Sequence, residues 1–337
     1  AKGLTEGASA VVSISPDQVD PSHDGKLVHL SGQVVPGETI EDALTGLVFE
    51  GVGLSRDVEM YQWREDKETK TKKNLGGSED RVTTYSYNRS WEGREVSSKS
   101  FKEAAAHSNP PMPFKSDSFY SKGSKLGAFE ASERILRALP TEDIYDLSEV
   151  TVDSLAGEQA HVEQGLIYVG DDPTKPEIGD IRISYAGSEP QAVSVVAKQN
   201  GTSLESYNTT NGSSIFLTQA GTVSSENMFT AAEKANTMLT WALRAGGLFA
   251  LFIGFGSILR PISVLADVVP LFGSIASAGI SVISFLLSLC LGFVTIAIAW
   301  IVFRPLIGVV LLLVVGGSIF GLVKKIKSAK PAEAAAA

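Results

Sequence analysis

WALRAGGLFALFIGFGSIL (Trp241–Leu259), IASAGISVISFLLSLCLGFVTIAIAWIVF (Ile275–Phe303) and LIGVVLLLVVGGSIFGLV (Leu306–Val323) follow one another in the last third of this 337-residue chain. Between Arg260 and Lys324 the charged residues are Asp267 and Arg304, and neither of the last two runs holds a charge. Hydrocarbon offers a peptide group no hydrogen-bond partner, so apolar runs of this length read as membrane helices, each needing about 20 residues. The expected spans are about 241–259, 277–303 and 306–323. Arg260–Pro261 and Arg304–Pro305 punctuate them, and the apolar connector 261–272 is expected to lie in the membrane interface. Everything before Trp241 is then a domain held against one face of a bilayer.

That domain, residues 1–223, is polar and acidic, and the whole chain carries a formal charge of −9. It is long enough to bury a core of its own. The acidic balance and the lack of a basic patch interleaved with aromatics argue against nucleic acid. Lys67 to Lys73 is locally basic, but acidic neighbours interrupt it, and it reads as a solvated hairpin tip. The one cysteine, Cys290, lies within the second span, so the domain has no disulfide and no thiolate chemistry.

Working back from the spans, Ser224 to Thr240 changes to helical period. Met228, Ala231, Ala232, Ala235, Met238, Leu239 and Ala242 form a stripe, and Ser224 or Ser225 can cap the start. This amphipathic segment, 224–240, could lie on or rise from the bilayer surface, or pack on the domain. Upstream, strand patterns dominate: Lys26–Val35, Arg56–Glu65, Val82–Trp91, Gly165–Val169, Ile181–Ala186, Ala192–Lys198 and Ser214–Thr218. In RDVEMYQWRE (Arg56–Glu65), Val58, Met60 and Gln62 share one face, while Asp57, Glu59, Tyr61 and Trp63 share the other. With Val82–Trp91 this stretch forms a long antiparallel hairpin closed by the turn Asn74–Asp80. Short alternations are expected over Gly3–Pro21, a helix over Gly127–Leu139 and another over Thr141–Leu147. The fold class is α+β with mostly antiparallel strands, followed by three membrane helices.

Orientation follows from charge. Lys324, Lys325 and Lys327, in the tail 324–337, belong in the cytoplasm by the positive-inside rule. Arg260 falls on the same side and Arg304 on the other. Three spans then place the domain outside the cytoplasm, and an export segment before Ala1 is expected. Trp241 with Arg244 marks the membrane interface by pairing an amphipathic ring with a snorkelling guanidinium. Gly246, Gly247, Gly317 and Gly321 are candidate helix-packing positions, since small residues let helices approach closely. No carboxylate or histidine lies mid-span to relay protons.

Reactive constellations are missing. His23, His29, His107 and His161 have no partner at metal-ligand spacing, and there is no nucleophile elbow, P-loop or dinucleotide fingerprint. His29 alternates with Val28 and Leu30 and reads as structural. Asp171, Asp172, Glu177 and Asp180 read as a solvated turn rather than a calcium site. No enzyme activity, cofactor or metal is expected.

Several stretches together resemble the transmembrane protein 43 (LUMA) family. They are Thr5–Gly7, Asp24–His29 (DGKLVH), the VEMYQW of Val58–Trp63, Tyr85–Asn88, Trp91, Ser98–Lys99, Phe101, His107, Asn109–Pro110, Pro173–Ser184 (PTKPEIGDIRIS), Thr240–Trp241, Leu243–Ala245 and Arg304–Pro305. The resemblance covers nearly the whole chain, except for 10–24 and 141–163, and none of its motifs is catalytic. It implies a four-span protein whose large extracytoplasmic domain lies between the first two spans. It also implies a self-associating organiser of membrane and protein complexes, lodged in eukaryotes in the endoplasmic reticulum and inner nuclear membrane. Nuclear-envelope proteins such as lamins and emerin are partners there. The cysteine-free, acidic domain suggests a bacterial member, with the domain periplasmic or extracellular; in a eukaryote it would be lumenal. The expected partners are the lipid bilayer, further copies of the chain and other membrane proteins. The competing reading is a lipid-binding or channel-like protein, because an amphipathic helix leads straight into small-residue-rich spans.

Overall fold

The computed structural model describes residues 2–73, 79–144, 157–266 and 270–303, together with 146, 147, 150, 152, 154, 155 and 313. They fall into two units, 2–69 with 83–237, and 70–82 with the residues from Met238 onward.

The first unit is built from strands, as the alternating patterns demand. The principal ones are β1 (Leu27–Val35), β2 (Gly53–Lys73), β3 (Glu79–Glu92), β4 (Glu158–Glu163), β5 (Leu166–Val169), β6 (Ile181–Ser188) and β7 (Ala192–Asn200). β1 and β7 pair antiparallel from Leu27–Lys198 to Gln33–Ala192 at the centre of one sheet. The second sheet runs β4–β5–β6–β2–β3, with Ile183 opposite Val58 and Ile181 opposite Met60. Pairing is antiparallel except where Val12–Ser13 runs parallel to β1. The two-residue loop Gly201–Thr202 between Asn200 and Ser203 places Gly201 at φ 58°, the left-handed backbone that the first loop position of a primed hairpin turn requires.

The central sheet buries both faces. Val28, Leu30, Val193, Val195 and Ala197 pack with Leu126, Phe129, Ile135 and Leu136 on one side. Leu27 and Val196 meet Ile215, Met228 and Phe229 on the other. The inward residues of the second sheet, Leu54, Val58, Met60, Ile167, Ile181, Ile183 and Tyr185, form a separate core.

Three local readings are corrected. Residues Lys2–Ala10 are a helix, α1, not alternations. Gly3 and Gly7 are its buried positions, and a Cβ at Gly7 would collide with Ile215 and Phe229. Within 127–139 only Glu133–Leu136 is α-helical, because Phe129–Glu130 pairs as a strand with Lys125–Leu126. Glu142–Ile144 is a strand on β6 rather than a helix, so the ladder offered by Tyr185–Gly187 overrides the capping signal at Thr141. The tip of the β2–β3 hairpin, 74–78, lies outside the described residues.

The long helix α2 (Ser225–Ala266) starts inside this first unit. Ser224 caps it, its hydroxyl accepting from the Asn227 N–H at 3.3 Å. Met228 and Phe229 are buried with Leu27 and Val196. α2 then continues through Pro261, where a break was expected, and α3 (Pro270–Phe303) begins on a proline. An interior proline costs one backbone hydrogen bond, and Pro at a first-turn position costs none.

One buried polar knot fixes the second core. Asp42, 2 % exposed, accepts from the Arg56 guanidinium at 2.5 Å, the Tyr185 phenol at 2.6 Å and the Leu44 amide at 3.1 Å. Arg56 gives its remaining bonds to the Lys115 carbonyl at 3.0 and 3.3 Å, and Thr45 bonds Tyr185 at 2.6 Å. Every charge in the knot is therefore partnered. Burial pushes the Tyr185 phenol up, and its bond to Asp42 pushes it further.

Removing one partner of such a pair strands the other, at about 3–5 kcal/mol. Asp42→Ala is expected to lower the unfolding midpoint of the purified protein by roughly 10 °C, read by scanning fluorimetry. A raised phenol keeps its proton in the folded state after the unfolded chain has lost it. Its stabilisation is thus complete below about pH 10 and declines as pH rises above that. Tyr185→Phe is expected to flatten this alkaline decline.

Candidate membrane helices and domain surface

Two described segments have the length and composition to cross a membrane, Ser225–Pro261 and Ala278–Ala299. The third expected span, 306–323, lies outside the described residues except Leu313, as do Arg304, Gly317, Gly321, Lys324, Lys325 and Lys327.

α2 and α3 pack against each other through a match of large and small side chains. On α2 the half-buried positions Leu248, Leu251, Phe252, Phe255, Gly256 and Leu259 recur at helical spacing. On α3 the buried positions are Ser284, Ser288, Gly292 and Ala297. A Cβ at Gly292 would collide with Leu248, and one at Gly256 would lie 4.0 Å from the Ser284 hydroxyl. The two contacts step in opposite chain directions, so the helices run antiparallel. Small residues on α3 let the backbones approach, and dispersion supplies the attraction. The glycines that make this contact are Gly256 and Gly292; among the described residues, a Cβ at Gly246 or Gly247 would meet nothing within 4 Å. Outward of the seam, Phe249, Ile253, Phe285, Leu286, Phe293 and Ile298 are each more than half exposed. In water such a surface would be prohibitive; in lipid it is the ordinary one.

Trp241 is 63 % exposed, and the Arg244 guanidinium sits over its ring at 4.9 Å. One turn of helix brings the pair together, as the sequence spacing requires. Arg260, also exposed, stands near the far end of α2.

On the domain, the outer face of the second sheet is lined by aromatic and charged side chains. Trp91 packs on Tyr61 with ring centres 5.2 Å apart and carries Arg182 over its face at 4.7 Å. Arg182 is paired with Glu59 at 2.5 Å. Farther along β2, His107 stacks on Tyr87 at 3.7 Å and meets Trp63 edge-on at 4.7 Å. The Tyr87 hydroxyl donates to Glu65 at 2.9 Å and accepts from the Glu103 amide at 2.9 Å. Burial alone would raise the Glu65 carboxyl, but bonds from the Lys102 amide, Tyr87 and Lys67 outweigh it and hold the group below the usual range. These contacts fasten the connector 94–110 over the hairpin. Asn109 completes the fastening, its amide bonding both the N–H and C=O of Trp63 and the carbonyl of Val96. Neither the Asn109 clamp nor the Gln62 clamp on Arg94 and Val96 was singled out from sequence. The Asn109–Pro110 break was the one available signal.

The histidines are placed structurally. His29 donates to the Val223 carbonyl at 2.8 Å and bonds Ser13 at 3.3 Å. Asp172 and Asp180 are engaged within their own turn by Thr174, Glu177 and Tyr168. Among the described residues no group of three His, Cys, Asp or Glu side chains could hold a metal ion. A cleft of about 790 Å³ opens beside Glu38, Glu41, Lys122, Lys125, Glu130 and Glu133. Its walls carry no histidine or cysteine, so it presents alternating charge rather than a nucleophile with its base.

The chain matches a family model described as Transmembrane protein 43 over residues 60–305. It is 32 % identical to Transmembrane protein 43 of Rattus norvegicus over 321 residues, covering 90 % of this chain and 78 % of the relative. It is 31 % identical to that of Homo sapiens over 324 residues, with 91 % and 78 % covered. It is 30 % identical to the Drosophila melanogaster homolog over 315 residues, with 90 % and 81 % covered. No solved structure matches the chain.

The α2–α3 seam makes a direct prediction. With Cys290→Ser as background, cysteines at Leu248 and Gly292 are expected to form an intramolecular disulfide on mild oxidation, seen as lost maleimide mass. A pair at Gly246 and Gly292 is expected to stay reduced.

Proposed function

The chain belongs to the transmembrane protein 43 family, and on that premise we propose that it is a non-enzymatic, self-associating organiser of membrane and protein complexes. The observation that carries the reading is α2, a single helix that is core at Met228 and Phe229 and whose segment Ser225–Pro261 has the length and composition to cross a membrane. One element contributes to both the domain and the membrane anchor, while the described part of the domain offers interlocked side chains instead of a reactive cluster. Such a molecule works by what it holds. In this reading the domain lies on the non-cytoplasmic side, Trp241 and Arg244 sit at the interface, and Lys324, Lys325 and Lys327 face the cytoplasm. Further copies of the chain and other membrane proteins are its partners, with lipid as its solvent.

In mild detergent the particle is expected to exceed one 35.7 kDa chain. Mass photometry with empty micelles as the reference checks this, and monomers alone would contradict self-association. Compartment reporters fused after Gly201 and after Lys327 are expected to report opposite sides of the membrane; the same side would contradict the orientation.

A further inference from the structure

We propose that the β2–β3 arm is a self-pairing strand, and that two copies of the chain join edge to edge through β2, antiparallel and centred on Thr69. This rests on the self-association reading above and names the surface that performs it.

Along β2 the main-chain groups of every second residue point to the side where β6 lies. Tyr61 donates to the Asp180 carbonyl at 2.8 Å and accepts from Gly179 at 3.0 Å. At Trp63 the Asn109 side chain takes over both bonds. Glu65, Lys67, Thr69 and Thr71 continue the same series. Beyond Trp63, β2 has β3 as its neighbour on one side and no described strand on the other. Among the described residues, no main-chain group outside the sheet ladder bonds the backbone of Lys67, Thr69 or Thr71. An edge of this kind is a template for another strand. Asn109 blocks it at one residue, and among the described residues no strand pairs with the remainder.

The side chains say which strand fits. Lysines on an edge ordinarily repel a second strand. Here the sequence EDKETKTKK (Glu65–Lys73) is complementary to itself when reversed. Antiparallel pairing about Thr69 sets Asp66 opposite Lys72 of the second copy, Glu68 opposite Lys70, Lys67 opposite Thr71, and Thr69 opposite itself. Thr69 points its N–H and C=O outward, so it forms the hydrogen-bonded pair on the two-fold axis. The charged pairs then fall at the non-hydrogen-bonded positions, where side chains approach most closely. A shift of one residue in either strand destroys both the charge matches and the hydrogen-bond phase. A two-fold contact of one patch with itself is the usual form of a homodimer interface. On the strand itself, Thr69 and Thr83 are bonded at 3.1 Å and Lys67 lies over the Tyr85 ring at 5.7 Å, which ties β2 to β3 on its other side.

The test uses the full chain in lipid nanodiscs with Cys290→Ser. Thr69→Cys is expected to give a covalent dimer with a short bismaleimide, whereas Thr84→Cys on β3 is not. Lys70→Glu with Lys72→Glu opposes like charges in both pairs and is expected to weaken dimerisation at least tenfold by mass photometry. Adding Asp66→Lys and Glu68→Lys to that variant exchanges the charges and is expected to restore the dimer. An oligomer that forms without Thr69 cross-linking and is indifferent to the charge reversal would overturn the arm pairing alone. A chain that is monomeric before any substitution would overturn both the pairing and the self-association reading. Charge reversal without rescue would overturn the register about Thr69.

Discussion

Hydrocarbon cannot satisfy a peptide N–H or C=O, and the last third of this chain answers to that constraint. α2 and α3 keep their backbone bonds within the helix, so the apolar side chains can face lipid in every direction not used for packing. The seam between them uses large residues on α2 and small ones on α3, since burial from lipid gains little and close contact must supply the attraction. α2 also begins as part of a water-soluble core. Its first turns are capped by Ser224 and buried at Met228 and Phe229, and its later turns carry Trp241 and Arg244. A single helix is therefore part of the domain core at its start and lipid-compatible farther on, with the aromatic–guanidinium pair between Phe229 and the α3 contact.

The domain, which has no cysteine, solves the opposite problem, how to keep polar groups satisfied. Asp42, Arg56, Tyr185 and Thr45 close a buried knot in which every charge is partnered. Gln62 and Asn109 use side-chain amides to finish main-chain ladders where strands end. The aromatic residues Trp63 and Tyr87 of β2 and β3 hold the connector 94–110 in place by packing on His107. All of this fixes the base of the hairpin, and among the described residues no strand pairs with the outer edge of β2 from Lys67 onward.

Much of this was legible in the residues. VEMYQW alternates so strictly that Val58, Met60 and Gln62 had to face inward, and they do. The strands at Lys26–Val35, Ile181–Ala186 and Ala192–Lys198 were equally plain, as was the turn at Asn200–Gly201. The helical run from Ser224 was visible, but its length was not, because Pro261 reads as a stop in water and is tolerated in an apolar helix. α1 was missed because Ala8, Ala10 and Val12 suit either period; the signal lay in Gly3 and Gly7, one turn apart. Glu142–Ile144 misled through a good cap at Thr141, which a long-range ladder overrode. The α2–α3 contact is made by Gly256 and Gly292, and spacing along one helix cannot say which of its faces meets another. The Asp42 knot depends on residues separated by up to 143 positions and leaves no local trace.

The central claim is that α2 leaves the aqueous domain and enters the bilayer within one turn of Trp241. The most direct measurement is a cysteine scan along α2, from Ala231 to Leu259, in the full chain carrying Cys290→Ser and reconstituted in lipid vesicles with both faces exposed to a membrane-impermeant maleimide. The account predicts ready labelling from Ala231 to about Thr240 and protection from Ala245 to Leu259. Equal labelling across the whole helix would contradict it.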